Sequence, residues 1–185
     1  MINYDIEWIQ LLDVAKELQA STPQFKAAVS RACNRTAATL RKMSSKGLKD
    51  ELQLRTVAAI RKRLKTIKLR ANVQGMQLWY GLNDLPVSSF KGRPKQTSDG
   101  AQFRNTKFAG GFVAKSGVKG KQTVFKRRGK QRLPIVEQLL PIKDQADIFI
   151  EDEIFVQVEQ IFWQHFRRDL TARVKYDLKT SDRWA

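Results

Sequence analysis

Ile67-Lys-Leu-Arg-Ala-Asn-Val-Gln-Gly75-Met-Gln-Leu-Trp-Tyr-Gly-Leu82 is the stretch in which the hydrophobic period of the chain changes from helical to alternating. Ile67, Leu69, Ala71 and Val73 alternate with Lys68, Arg70 and Asn72, which gives an extended segment one apolar and one solvated face. Gly75 supplies a turn. Met76, Leu78, Tyr80 and Leu82 then alternate with Gln77, Trp79 and Gly81 in a second strand, ended by Asn83-Asp84-Leu85-Pro86. The two segments predict a hairpin. Helical patterns precede it and return near the C-terminus, so the fold class expected is α+β.

Upstream, Ile6, Ile9, Leu12 or Asp13, and Lys16 stand at helical spacing beside Trp8, Leu11, Val14, Ala15 and Leu18, which predicts an N-terminal helix within 1–20. Thr22-Pro23 is a helix start, because the hydroxyl caps orphan amides and Pro loses no hydrogen bond in the first turn. The helix that follows has an inner face of Phe25, Val29, Ala32, Thr36, Leu40 and Met43, and Gly47 is its expected end. A shorter helix carries Val57, Ile60 and Leu64 inward and Arg61, Lys62, Arg63 and Lys65 outward. Residues 22–66 are therefore read as helical.

Downstream, residues 67–136 read as β-rich. Residues 91–102 have no apolar periodicity and predict a mobile basic loop. Phe108 to Ala114 and Thr123 to Arg127 are short strands joined by the Gly-punctuated turn from Lys115 to Lys121. The sign of the charge then reverses, with seven acids and one Lys between Glu137 and Glu159. A long C-terminal helix is expected over 144–180, its stripe Ile154 or Phe155, Val158, Phe162, Phe166, Leu170 and Val174. Acids early and bases late suit its dipole.

With 185 residues, 42% of them apolar, one domain over 1–185 with a genuine core is the default. A net charge of +17 exceeds what solubility needs and points to a polyanion or to acidic protein surfaces. No run approaches the ~20 apolar residues that span a bilayer, and Met-Ile-Asn-Tyr-Asp-Ile-Glu lacks the shape of a signal peptide, so cytosol and no membrane are expected. Cys33 and His165 are each the sole residue of their type, too few for a structural zinc site or a disulfide. No metal and no cofactor is expected. Asp152 and Glu153 are adjacent on a helix and point apart, and no Ser or Cys nucleophile is arranged around His165, so no enzyme is read here.

The charge concentrates between Lys91 and Arg132, where thirteen Lys or Arg face one acid, Asp99. Arg61, Lys62, Arg63, Lys65, Lys91, Arg93, Lys95, Lys119, Lys121, Lys126, Arg127, Arg128 and Lys130 form the expected basic surface for DNA or a partner. Phe103, Phe108, Phe112 and Phe125 interleave with the bases as a stacking platform would, but at strand spacing a core role is favoured. Phe155, Val158, Phe162, Phe166 and Leu170 are the expected subunit or partner interface of the last helix.

Three phrases occur in an order that resembles the minor tail protein Z, or tail completion, family of tailed bacteriophages. They are Ala32-Cys-Asn-Arg-Thr-Ala37, Ala109-Gly-Gly-Phe-Val-Ala114, and Val124-Phe-Lys-Arg-Arg128 followed by Arg132-Leu-Pro-Ile135. The basic helix with Arg61 and Arg63 lies between the first two, and the resemblance runs from about Phe25 to Pro141. Leu140-Pro141 stands where the family usually has Gly-Pro. The resemblance implies a small twisted antiparallel β-sheet or open barrel packed with helices. It also implies a structural virion protein at the head-proximal tail end or neck, made in the host cytoplasm and active when head and tail join. Implied partners are the tail terminator and head-tail connector proteins, further copies in a ring (a hexamer favoured), and secondarily the end of the viral DNA. A non-specific nucleic-acid-binding protein is the alternative that charge alone supports.

Overall fold

The computed structural model describes residues 2–5, 7–67, 75–116 and 120–178. In chain order the elements are β1 (Ile2–Asp5), α1 (Trp8–Glu17), α2 (Thr22–Glu51), α3 (Ala58–Arg61), β2 (Leu64–Ile67), β3 (Gly75–Tyr80) and β4 (Leu85–Pro86). There follow β5 (Lys95–Thr97), β6 (Gly100–Phe103), β7 (Thr106–Ala109), β8 (Gly111–Lys115), β9 (Gln122–Arg127), β10 (Ile135–Glu137) and β11 (Leu139–Leu140). The helices α4 (Lys143–Phe149) and α5 (Val158–Lys175) complete the α+β fold. Every strand pairing is antiparallel, and the strands form several small sheets in place of a closed barrel. The chain divides into two compact units, Met1–Ser44 with Leu64–Tyr80 and Ile150–Ala185, and Ser45–Arg63 with Gly81–Phe149.

In the first unit Leu11 and Ala15 of α1, Phe25, Ala28, Val29 and Ala32 of α2, and Phe162, Phe166 and Leu170 of α5 form one buried cluster. Phe25 meets Phe166 edge-on with ring centroids 6.1 Å apart, and Trp8 meets Phe25 in the same manner at 5.9 Å. The α2 face read from the sequence is thus the packed one. A buried ion pair stands beside this core: Arg173 Nε donates to Asp169 Oδ2 at 2.7 Å, and Arg31 Nε lies 3.4 Å from Asp169 Oδ1. α2 begins one residue before the expected Pro signal, and Ser21 N–H donates to Gln24 Oε1 at 2.9 Å, half of a capping box.

A hairpin is present as β2 and β3, in register Leu64↔Tyr80, Lys65↔Trp79 and Thr66↔Leu78, with a first strand that shares only Ile67 with the expected one. It begins before Ile67, since the helix ahead of it lasts only from Ala58 to Arg61 and residues 64–67 already pair with β3. The alternation from Lys68 to Val73 lies outside the described residues. Gly75 opens β3 opposite Asp5. The 1–20 helix is corrected at its start: Ile2–Asp5 is a strand on the other edge of β3, where ladder bonds satisfy its backbone, and α1 begins only at Trp8.

Two further corrections concern helix ends. α2 continues past Gly47 to Glu51, because that glycine is not a cap but a point of close approach: an added Cβ would meet Phe149 Cε1 at 2.8 Å and Cζ closer still. The helix expected over 144–180 is wound in pieces, with α4, a π turn at Ile150–Ile154, a 3-10 turn at Phe155–Gln157, and then α5 ending at Lys175. The reason lies in the burial pattern. Ala146, Ile150, Ile154, Val158, Phe162, Phe166 and Leu170 are all buried and all four residues apart. In a regular helix that spacing drifts by about 40° per step, and a π turn, which is wound more loosely, offsets part of the drift.

The second unit holds the remaining strands with the end of α2, α3 and α4. Leu48, Leu52, Leu54, Ile60, Leu85, Phe90, Phe103, Val124 and Ile142 are among its buried residues. Gln145 Nε2 of α4 donates to both the backbone and the side-chain carboxylate of Glu51, at 3.1 and 2.9 Å. Leu140, where the resembled family has Gly, is no turn residue: it is buried in β11 and pairs with Leu85.

Candidate functional site

The basic segment is built on two three-stranded sheets of the second unit, ordered β5-β6-β7 and β10-β9-β8. Residues 91–102 are accordingly not a loop. Lys95–Thr97 pairs with Gly100–Phe103, and the polar strand was invisible to periodicity because all three of its side chains are exposed while its partner buries Gly100, Ala101 and Phe103. Gly100 has φ +152°, and a Cβ there would meet Gly110 N at 2.8 Å, so the hairpin depends on glycine at this place. Gln96 holds the two sheets together: its Oε1 accepts from Val113 N–H at 2.8 Å, and its Nε2 donates to Gly100 O at 2.7 Å.

Register then places the cations. Lys95 and Lys107 both lie opposite Gln102, one on each side, in a single cross-strand row. In the other sheet Lys126 lies between Gly111 and Val136, Arg127 is opposite Ile135, and Phe125 lies between Phe112 and Glu137. Phe112 and Phe125 are a cross-strand pair with ring centroids 6.2 Å apart. Arg127 Nη1 donates to Arg132 O at 2.8 Å and Arg128 N–H to Pro134 O at 3.1 Å, which ties down the excursion between β9 and β10.

No acid occurs between Asp99 and Glu137. Glu137 is itself engaged, its Oε1 accepting from Thr123 Oγ1 at 2.5 Å and from Ser88 N–H at 3.0 Å. Among the described residues Lys126, Arg127, Arg128 and Lys130 take part in no ion pair, and all four side chains are exposed. Their field is therefore uncompensated at close range.

Not every expected cation serves this surface. Arg61, Lys62, Lys91, Arg93 and Lys95 are exposed in the second unit, and Lys121 is half-buried. Arg63 is half-buried and spends its guanidinium on the chain, Nη1 donating to Asn83 O at 2.5 Å and Nη2 to Asp84 O at 3.4 Å. Lys65 belongs to the first unit, its Nζ 5.7 Å from the centre of the exposed Trp79 ring. Lys119 lies outside the described residues. Phe103 is buried and stacks with nothing from outside, while Phe108, Phe112 and Phe125 are half-buried.

The expected interface on the last helix is corrected more fully. Val158, Phe162, Phe166 and Leu170 are buried within the chain, three of them in the cluster with α1 and α2, and Phe155 is half-buried. A stripe that completes its own core has no apolar face left for a partner.

Sequence reading missed Arg104. It occupies a two-residue turn with Asn105 at φ +52°, lies 5.2 and 5.4 Å from the Phe90 and Phe103 ring centres, and donates to the carbonyls of Leu52, Gln53 and Lys91. The signal was Arg-Asn between Phe103 and Thr106, a turn that tolerates left-handed residues. Lys107 and Arg132, both exposed, were also passed over.

No known protein family, characterised protein or solved structure matches this chain. Among the described residues no group of three or more His, Cys, Asp or Glu is placed to hold a metal ion, and no helix is long and apolar enough to cross a membrane. Burial pushes the Cys33 thiol up to about 11. His165 lies with Nε2 3.4 Å from Thr39 Oγ1, and burial, followed by Arg35 and Arg168, holds its pKa below the ordinary value.

Proposed function

We propose that this chain is a structural protein of a tailed phage particle, a tail completion or minor tail protein at the head-proximal tail end or neck that helps join head to tail. The ordered phrases at Ala32–Ala37, Ala109–Ala114, Val124–Arg128 and Arg132–Ile135 carry the reading. The observation that supports it is where the later phrases fall: on β8, β9 and the entry to β10, three neighbouring strands of one sheet that displays the uncompensated cations. In this reading Lys126, Arg127, Arg128 and Lys130 meet carboxylates of a tail terminator or connector ring, with contact to the DNA end secondary. A ring of these chains needs such polyanions, because each copy repeats a charge of +17. Purified particles of the phage that encodes the chain should contain it in a fixed number of copies; particles lacking it would remove the reading.

The charge also favours a second reading, a free protein that binds nucleic acid without sequence preference. That reading predicts duplex affinity falling steeply with salt, each neutralised phosphate releasing a counterion. Neutralising Lys91, Arg93, Lys95, Arg127, Arg128 and Lys130 would then abolish binding, and unchanged affinity would reject it.

A further inference from the structure

The end of the β10-β9-β8 sheet combines two properties that a phosphate-binding surface does not need together. Leu133, Ile135, Val136 and Leu139 are 66, 38, 47 and 50% exposed, and they occupy one continuous run of seven residues. Among the described residues β10 is an outer strand of its sheet, paired with β9. Residues alternate in side along a strand, so Ile135 and Val136 expose apolar atoms on opposite faces of it. The exposed Lys126 and Arg127 lie opposite Val136 and Ile135 in the register, and the exposed Arg128, Lys130 and Arg132 stand in the segment that joins β9 to this run.

Apolar centre and charged rim are the anatomy of a protein interface. Phosphates gain nothing from Leu or Val, and nucleobases stack on aromatic or guanidinium planes and not on the exposed aliphatic side chains of this run. A second copy of the chain is a poor occupant, since it would bring another +17 to a surface already cationic. Charge complementarity selects an acidic partner, and the aliphatic run selects one that carries apolar side chains among its carboxylates.

We propose that the outer edge of β10 is a docking site for an acidic protein segment with interspersed apolar residues, laid along the strand so that it meets Ile135 and Arg127 on one face and Val136 and Lys126 on the other, with Leu133 and Leu139 at the two ends of the run. The inference rests on the reading of the basic surface as a partner surface, and it narrows that partner from any polyanion to a protein.

The test uses the full chain and three fluorescent probes: a peptide alternating Glu with Leu, a Glu-Ser peptide of the same length and charge, and a random-sequence DNA duplex. Anisotropy should show the Glu-Leu peptide binding about ten-fold more tightly than the Glu-Ser peptide. That preference should survive added salt, which screens the charges that both peptides share. The exposed-site variant L133S/V136S should lose the preference and keep its duplex affinity, with an unchanged cooperative thermal melt to show that it is folded. Equal affinity for the two peptides, or a preference that persists in L133S/V136S, overturns the proposal alone. Failure of all three probes to bind overturns the basic partner surface with it. Dimers in sedimentation that L133S/V136S abolishes would assign the face to self-association and overturn the acidic partner.

Discussion

Arg173 Nε and Asp169 Oδ2, one helical turn apart in α5, share a hydrogen bond of 2.7 Å in an environment that leaves Arg173 1% exposed. Removing the carboxylate takes the ion pair from a buried guanidinium. Asp169→Ala should lower stability by about 3 kcal/mol in urea denaturation, and D169L/R173M should recover much of it, because the penalty belongs to breaking a buried ion pair and not to lost packing. Equal losses in the single and double variants would contradict this.

Gly47→Ala would ordinarily stabilise a helix by about 1 kcal/mol. Here the sign reverses, because the new methyl would overlap the Cζ end of the Phe149 ring. A loss of roughly 1–3 kcal/mol is expected. Combining Gly47→Ala with Phe149→Ala should show a favourable coupling in a double-mutant cycle; simple additivity would mean that the two residues do not meet.

Cys33 should be nearly inert. A thiol pushed from 9.0 to about 11 holds about a hundredth of the usual thiolate at pH 8, and the thiolate is the reacting species. Labelling by a thiol reagent should be about a hundred-fold slower in the native chain than in urea. Comparable rates would show that burial does not protect it.

His165 contributes a pH dependence of definite sign. Its folded pKa lies below 6.5 through burial and, after it, through Arg35 and Arg168, so below that pH the unfolded chain binds the proton first. Stability attributable to this group is present above the unfolded pKa and falls as pH drops through 6.5 towards the folded pKa. His165→Gln should flatten that slope in thermal melts between pH 7 and about 5; an unchanged slope would assign it to other groups.

What could be read from residues alone follows the range of the interaction that sets each feature. The inner face of α2 and the stripe from Val158 to Leu170 repeat locally, so both apolar faces were legible, as was the second strand of the β2–β3 hairpin. The error about the last helix was one of destination: the stripe was seen, but not that α1 and α2 use it up. β1 was hidden because its partner, β3, lies some seventy residues away, and β5 because an exposed strand has no apolar period. The loose winding at Ile150–Ile154 was latent in a spacing of four that the stripe already showed.

The candidate site divides in the same manner. The number of cations and the missing acids are properties of composition, and they survive into the sheets as an exposed set on β9 and after it. Which cations are committed depends on acceptors that only the fold supplies. Arg63 is held by Asn83 and Asp84, and Arg104 by Leu52, Gln53 and Lys91. Both use two guanidinium nitrogens on the chain, whereas Arg127 makes one such bond, through Nη1 to Arg132 O.

The proposed role is tested most directly by imaging assembled tailed-phage particles from an infection that expresses this chain, at a resolution that traces it. The account predicts both units at the head-tail joint, with Lys126, Arg127, Arg128 and Lys130 facing carboxylates of a neighbouring protein ring and Leu133 and Val136 covered by it. A particle without this chain, or one in which the same four side chains lie against DNA phosphates with the aliphatic run still exposed, would contradict it.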